Sequence, residues 1–256
     1  MSLGHVAVIT GASSGIGRAT AEEFARKGYA LAVIARREDL LITLIKELRE
    51  LSPHGKFLAF PCDISNWKEV TEVAAKIATA FPHINILINN AGAFEYQSLE
   101  KSTPEKLDEM INVNIRGVLY MSKAYLPHMK RAVQAGGRAK IVNVSSISGL
   151  WGFSNMSAYT ATKFAVAGFS SALRRELNPE HIQVATIFPG PVNTRLPKGK
   201  RPEKRMVMIP EDIARQIFTL ATSSKKNQIM HPVFMALHVL ESLSPKMVDK
   251  VLKKIL

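Results

Sequence analysis

The first thirty residues constrain this chain most. His5–Thr10 is a short, β-rich apolar run. It breaks into Gly11-Ala-Ser-Ser-Gly15-Ile-Gly17, and a helical pattern, Arg18–Lys27, follows and closes at Gly28. Glycines permit tight backbone angles and a close approach of backbone to ligand. A helix start offers free N–H groups and a positive dipole end to a phosphate. A glycine turn alone says little. Between a strand and a helix it points to a dinucleotide pyrophosphate, with Gly11, Ser13, Ser14, Gly15, Ile16 and Gly17 as the candidate cradle.

The same alternation continues. Strands are expected over Ala30–Ala35, Phe57–Pro61, Ile84–Ile88, Arg138–Ser145, His181–Phe188 and Gln228–His231. Helices are expected over Glu38–Leu51, Trp67–Phe81, Thr103 to about Arg131, Ser157–Leu177 and Pro210–Ser224. The fully apolar Ile84–Ile88 is the kind of strand buried on both faces of a parallel sheet. Strands alternating with helices predict an α/β fold, a doubly wound, mostly parallel seven-stranded sheet with helices on both faces. The 256 residues, 46% hydrophobic and 21% charged, suit one domain over 1–256.

Four stretches carry candidate chemistry. Ala30–Ala35 ends in Arg36 and Arg37, where an acid would select a ribose 2′-OH. Arginine's planar fork suits a 2′-phosphate, so NADP(H) is expected; the competing reading is two solvated arginines at a helix start. Asp63 and Ile64 follow a strand's carboxyl end, where open sheets bind ligands, although Asp is also common in turns. In Asn89-Asn90-Ala91-Gly92, small residues and amides let the backbone approach a flat ligand. Tyr159 and Lys163 lie four apart, on one helical face. A phenol with a pKa of about 10 is expected to be brought down by the adjacent ammonium. Ser146, after an apolar run, could bring a hydroxyl opposite that tyrosine for proton transfer at a carbonyl oxygen. By itself Tyr-x-x-x-Lys is usually a chance surface pair with a snorkelling lysine.

With these residues assembled, the chain resembles the short-chain dehydrogenase/reductase family, over roughly His5 to His231. The shared motifs come in the family's order: Thr10-Gly-x-x-x-Gly15-x-Gly17, Asn89-Asn-Ala-Gly92, Asn114, Ser146, Tyr159-x-x-x-Lys163 and Pro189-Gly190. The resemblance implies a single-domain Rossmann fold and hydride transfer between a nicotinamide and a carbonyl or alcohol. It implies Tyr159 as acid-base and Ser146, rather than Ser145, as the residue that orients the substrate oxygen. Lys163 would lower the tyrosine pKa and bind the nicotinamide ribose, and Asn114 would hold a water leading to Lys163. Ser13, Ile16, Arg36, Arg37, Asp63, Ile64, Asn90, Ala91, Gly92, Pro189, Gly190, Val192 and Thr194 match cofactor positions, Asp63 at the adenine and Thr194 at the carboxamide. The family also implies a homodimer or homotetramer. One departure is Gln228-Ile-Met-His-Pro232-Val in place of a terminal Asp-Gly-Gly, which weakens an assignment to fatty-acid synthesis.

The remaining features bound the answer. A net charge of +13 comes without a nucleic-acid motif, and a solvated basic surface serving an anionic cofactor is the simpler account. A single cysteine, Cys62, allows no internal disulfide and suggests a reducing, cytoplasmic setting. The seven histidines show no metal-ligand spacing. Residues 195–224 begin as a polar, basic stretch expected to act as a lid. The extension 234–256 ends in an amphipathic pattern with Lys246, Lys250, Lys253 and Lys254 on one face. It suits packing on protein, or less readily an anionic membrane surface. The expected activity is that of an NADPH-dependent carbonyl reductase. The alternatives are a 3-oxoacyl-thioester reductase, acting on a carrier-protein or CoA substrate, and a non-catalytic NADP(H)-sensing protein.

Overall fold

Each expected apolar run becomes a strand. They are β1 (Val6–Thr10), β2 (Ala30–Ala35), β3 (Phe57–Pro61), β4 (Ile86–Asn89), β5 (Ala139–Val144), β6 (Ile182–Phe188) and β7 (Asn227–Ile229). The computed structural model describes residues 5–192 and 207–225 and the backbone of 227–229. All neighbouring strands pair in parallel, in the order β3-β2-β1-β4-β5-β6-β7. The chain therefore builds outward from β1 in one direction, then returns to β1's other side and builds in the opposite direction. The crevice above that reversal, between the carboxyl ends of β1 and β4, is where open α/β sheets bind ligands.

Burial on both faces explains the unbroken apolar runs. Along β1, Ala7 and Ile9 enter one core and Val6 and Val8 the other, as the two-residue period requires. The first core is covered by α1 (Gly15–Arg26), α2 (Glu38–Leu51) and α7 (Pro210–Thr222), through Phe24, Leu44 and Ile217. The second lies under α3 (Trp67–Ala80), α5 (Gly117–Gln134) and α6 (Ser157–Glu176), through Ile77, Tyr125 and Leu173. Each such side chain, fully buried, stabilises the fold by about 1.5–3 kcal/mol.

Two expectations change. The helix expected from Thr103 to about Arg131 is divided into α4 (Pro104–Ile111) and α5 by a π-turn over Asn112–Arg116. The extra residue in that turn carries the fully buried Asn114 inward, and Gly117 comes against Ile64, whose Cδ1 would lie 2.5 Å from an added Cβ. The second concerns 195–224: its later part is the helix expected there, α7, fixed to the core with Ile213, Ile217 and Leu220 buried and Phe218 edge-on to Phe24 at 5.0 Å between ring centres. Its apolar face is spaced to pack on α1. Residues 195–206 and the extension 234–256 lie outside the described residues, as does Thr194.

Candidate active site

The glycine turn is held by side chains of β1 and β4. Thr10 Oγ1 accepts the backbone N–H groups of Asn90 and Ala91, both at 3.0 Å, and donates to the Ile88 carbonyl. Asn90 Nδ2 donates back to the Thr10 carbonyl at 2.9 Å. The two ligand-facing turns are thereby stitched together, and the packing needs glycine. A Cβ on Gly17 would lie 2.3 Å from the Gly11 carbonyl oxygen, and one on Gly11, whose φ is +66°, 2.7 Å from Ala91 Cα. The amide hydrogens of Asn90 are thus spent on the turn. The α1 start remains open, because the Ser14 hydroxyl does not cap it; its N–H groups and dipole fit a pyrophosphate.

The two arginines after β2 separate. Arg37 donates to Ser13 Oγ and Ser14 Oγ, both at 2.9 Å, so its guanidinium spans the glycine turn. Arg36 reaches the other way, to Glu109 of α4 at 3.8 Å. Asp63 forms a turn in which Oδ1 accepts from the backbone and hydroxyl of Ser65, at 2.9 and 2.7 Å. Ile64 is buried against Gly117. Burial, with Glu69 and Asp63 adding to it, pushes the Cys62 thiol up to about 12 and leaves it inert.

Beyond β5 the chain brings Ser146, Tyr159, Lys163 and Asn114 together. Ser146 Oγ accepts the Ser148 N–H at 3.1 Å, which leaves its own proton free to donate. Ser145 faces inward and donates to the Lys163 carbonyl at 3.0 Å, so the two neighbouring serines have opposite tasks. Lys163 is buried, and its Nζ donates to the Val144 carbonyl at 3.1 Å and lies 5.6 Å from the centre of the Tyr159 ring. Burial pulls this ammonium down to about 8. The half-buried Tyr159 phenol is pushed up to about 12 by burial, against a lowering hydrogen bond from Ser146. The lowering expected from Lys163 does not offset burial in this arrangement. A Cβ on Gly92 would lie 3.3 Å from Asn114 Oδ1 and 3.6 Å from Lys163 Nζ, so both groups converge on Gly92. The small residue keeps the approach to Lys163 open.

Sequence reasoning passed over the groups that hold these residues. Asn114 accepts the Ala93 N–H at 2.7 Å and donates to the Ala93 carbonyl and to Thr162 Oγ1, both at 2.9 Å. Thr162 donates to the Tyr159 carbonyl at 2.7 Å. Beneath them runs a buried ladder: Asn89 Nδ2 donates to Ser122 and to Asn143 Oδ1, and Asn143 donates to Ser170. The signal was present as an amide in each of two mostly apolar strands, and a buried amide calls for partners. Phe94 lies in the stretch Ala93–Leu99, whose residue types alone do not give its shape. It stands edge-on to Tyr159 at 4.8 Å and is 38% exposed, so it walls the approach to the phenol. Trp151 is core at 1% exposure, while Phe153 is half-buried beside it. Pro189 accepts the Ile147 N–H, which ties the Ser146 turn to β6. Gly190 and Val192 are half-buried next to it.

Comparison with known proteins agrees with this geometry. The short chain dehydrogenase family profile matches residues 5–205. A 3-ketodihydrosphingosine reductase of Bacteroides thetaiotaomicron is 36% identical over 190 residues, 74% of this chain and 65% of that protein. An alcohol dehydrogenase of the archaeon Thermococcus sibiricus, solved with 5-hydroxy-NADP, is 30% identical with a TM-score of 0.80, over 90% of this chain and 97% of that one. A 3-ketoacyl-(acyl-carrier-protein) reductase of Brucella melitensis, solved with NADH, is 29% identical with a TM-score of 0.81, over 89% and 96%. The parallel sheet, the glycine turn at its reversal and the profile match over most of the chain place this protein in the short-chain dehydrogenase family of oxidoreductases.

Proposed function

We propose that this chain is an NADP(H)-dependent oxidoreductase that reduces a ketone or aldehyde and, in reverse, oxidises the alcohol. A nicotinamide, when bound, supplies the hydride chemistry. Tyr159 holds the proton destined for the carbonyl oxygen. A phenol pushed up to about 12 is in its donating form at neutral pH. Ser146, with its acceptor position filled by Ser148, directs its own proton at the same oxygen. Lys163 offers the nicotinamide ribose a cation, and Asn114 keeps the Gly92 opening beside it polar. Glycine turn, Asn90-Ala91-Gly92 and Pro189-Gly190-Pro191-Val192 would hold the cofactor, with Asp63 and Ile64 at its adenine end and Thr194 at the nicotinamide.

The observation that carries the NADP(H) reading is Arg37, donating into both serines of the glycine turn while no carboxylate ends β2. A 2′-phosphate there would meet a guanidinium already aimed at the turn. Nucleotide-free protein, titrated by fluorescence, should bind NADPH at least about tenfold tighter than NADH, or about 1.4 kcal/mol. Arg37→Ala should abolish that ratio, and Arg36→Ala, whose partner is Glu109, should reduce it far less. Equal affinities for the two cofactors would remove the NADP(H) reading.

A 3-oxoacyl-thioester reductase remains the second reading, because a relative of that description matches. Phe94 and Phe153 favour an apolar substituent on a free ketone instead. Higher kcat/KM on a long-chain ketone than on acetoacetyl-CoA would support this; the reverse would favour the thioester. We also read the protein as cytoplasmic, in line with its buried, unpaired Cys62, and as a homodimer or homotetramer.

A further inference from the structure

At the amino ends of the strands, on the edge of the sheet opposite the glycine turn, lies a cavity of about 580 Å³. Its walls are the starts of β4, β5 and β6, the end of α7 and the turn after it. Arg138, Lys140, Arg174 and Lys225 line it, with His5 and His181. No Asp or Glu lines it among the described residues. Elsewhere some cations meet carboxylates: Arg18 pairs with Glu22 and Glu47, and Lys106 with Glu109. Glu180, close in sequence to Asn178 and His181 of the cavity wall, is held by Lys130 at 2.9 Å.

Lys140 is the unusual member. It sits in β5, is 4% exposed, and donates from Nζ to the carbonyls of Ser223 and Lys225 at 2.6 and 2.8 Å. Those bonds cap the end of α7, which accounts for a lysine at this place. They use two of the three ammonium protons. Capping does not account for Arg138, Arg174 and Lys225 lining the same cavity without a carboxylate among the described residues. Burial pulls Lys140 down to about 8.

We propose that this cavity is a second ligand site, separate from the cofactor cleft, for a small phosphate-bearing anion of di- or triphosphate size. Its volume is ordinary for a small-molecule site. Two guanidinium groups and two ammonium groups lining one cavity supply the charge and the hydrogen-bond donors that a phosphate chain takes. The free phosphate chain and the phosphate end of a nucleotide share this chemistry.

Calorimetric titration of the full chain with inorganic tripolyphosphate and, in parallel, ATP tests the site. Three variants accompany it: Arg138→Ala with Arg174→Ala, Arg37→Ala at the cofactor cleft, and Lys46→Ala with Lys76→Ala, which removes two exposed charges elsewhere. The Arg138/Arg174 pair should weaken a saturable component by about tenfold or more. The Lys46/Lys76 pair and Arg37→Ala should leave that component in place. Tighter ATP binding would assign a nucleotide, and equal binding the phosphate chain alone; both support the site. No saturable component, an equal loss in the Lys46/Lys76 pair, or a loss only in Arg37→Ala would overturn it. Should the arginine pair fail to fold, Lys225→Ala, on an exposed side chain, replaces it, and unchanged affinity there would overturn the proposal.

Discussion

The two edges of the sheet use the same device for different ends. Each has a buried lysine whose Nζ donates to main-chain carbonyls: Lys163 to Val144 at the carboxyl edge, and Lys140 to Ser223 and Lys225 at the amino edge. Burial pulls both down to about 8. What differs is the company. At the carboxyl edge the lysine lies 5.6 Å from a phenol ring, and backbone packs so closely that added Cβ atoms on Gly11 and Gly17 meet main chain at 2.7 and 2.3 Å. At the amino edge cations face a cavity, and Gly28 and Gly136, which lead into β2 and β5, have nothing within 4 Å of an added Cβ. A buried lysine alone therefore does not single out either edge. The phenol and the serine proton beside Lys163 are what the proposed reaction needs.

Tyr159→Phe tests that distinction most severely. It keeps the ring against Phe94 and removes only the proton, so ketone reduction should fall by about a thousandfold while NADPH affinity changes far less. In the parent protein, reduction should stay flat from about pH 6 to pH 8, because a phenol held near 12 keeps its proton throughout. Alcohol oxidation needs the phenolate and should rise with pH. Steady-state rates in both directions check this. Undiminished reduction by the Phe variant would erase the difference between the edges.

A smaller effect separates the edges sterically. Gly17→Ala places a Cβ against a carbonyl oxygen that cannot swing away, so it should cost about 3 kcal/mol in denaturant unfolding and weaken nucleotide binding. Gly28→Ala meets open space and pays only for a φ of +78°, about 1 kcal/mol, with nucleotide binding intact. Equal costs would mean that the carboxyl edge can relax.

What was legible in the sequence follows the same division. The strands and their parallel pairing could be read because runs such as Ala30–Ala35 are buried on both faces, which leaves an unbroken apolar signature. The residues around Tyr159 could be read because a phenol and an ammonium four apart share a helix face. The π-turn at Asn112–Arg116 could not, since it depends on where Asn114 finds Ala93 and Thr162, 21 residues before it and 48 after it in the chain. The divergence of Arg36 and Arg37 was equally hidden, because it is decided by Glu109 on another helix. The upward push on Tyr159 depends on burial, which a four-residue spacing does not contain. The basic cavity draws residues from both ends of the chain, and no local pattern announces it.

The last contrast concerns the lysines themselves, and its effect is the smallest. Each has a folded pKa of about 8 against an ordinary 10.5. Between those values the unfolded chain binds a proton that the folded chain does not, so each lysine makes stability rise with pH across that window. Below about pH 8 both states are protonated and the slope vanishes. Cys62 and Tyr159 act in the opposite sense, since their folded pKa values lie above the unfolded ones and stability falls as pH rises past about 9 and 10. The measurement is therefore the difference between parent and variant in chemical unfolding from pH 7.5 to pH 10, and not the parent curve alone. Lys163→Met and Lys140→Met should each remove a similar share of the rise, and the double variant should remove the sum, because the sites are at opposite edges of the sheet. A rise removed by one lysine alone would show that the other keeps its charge in the folded protein. For Lys140 that would place a counter-ion in the amino-edge cavity even without added phosphate.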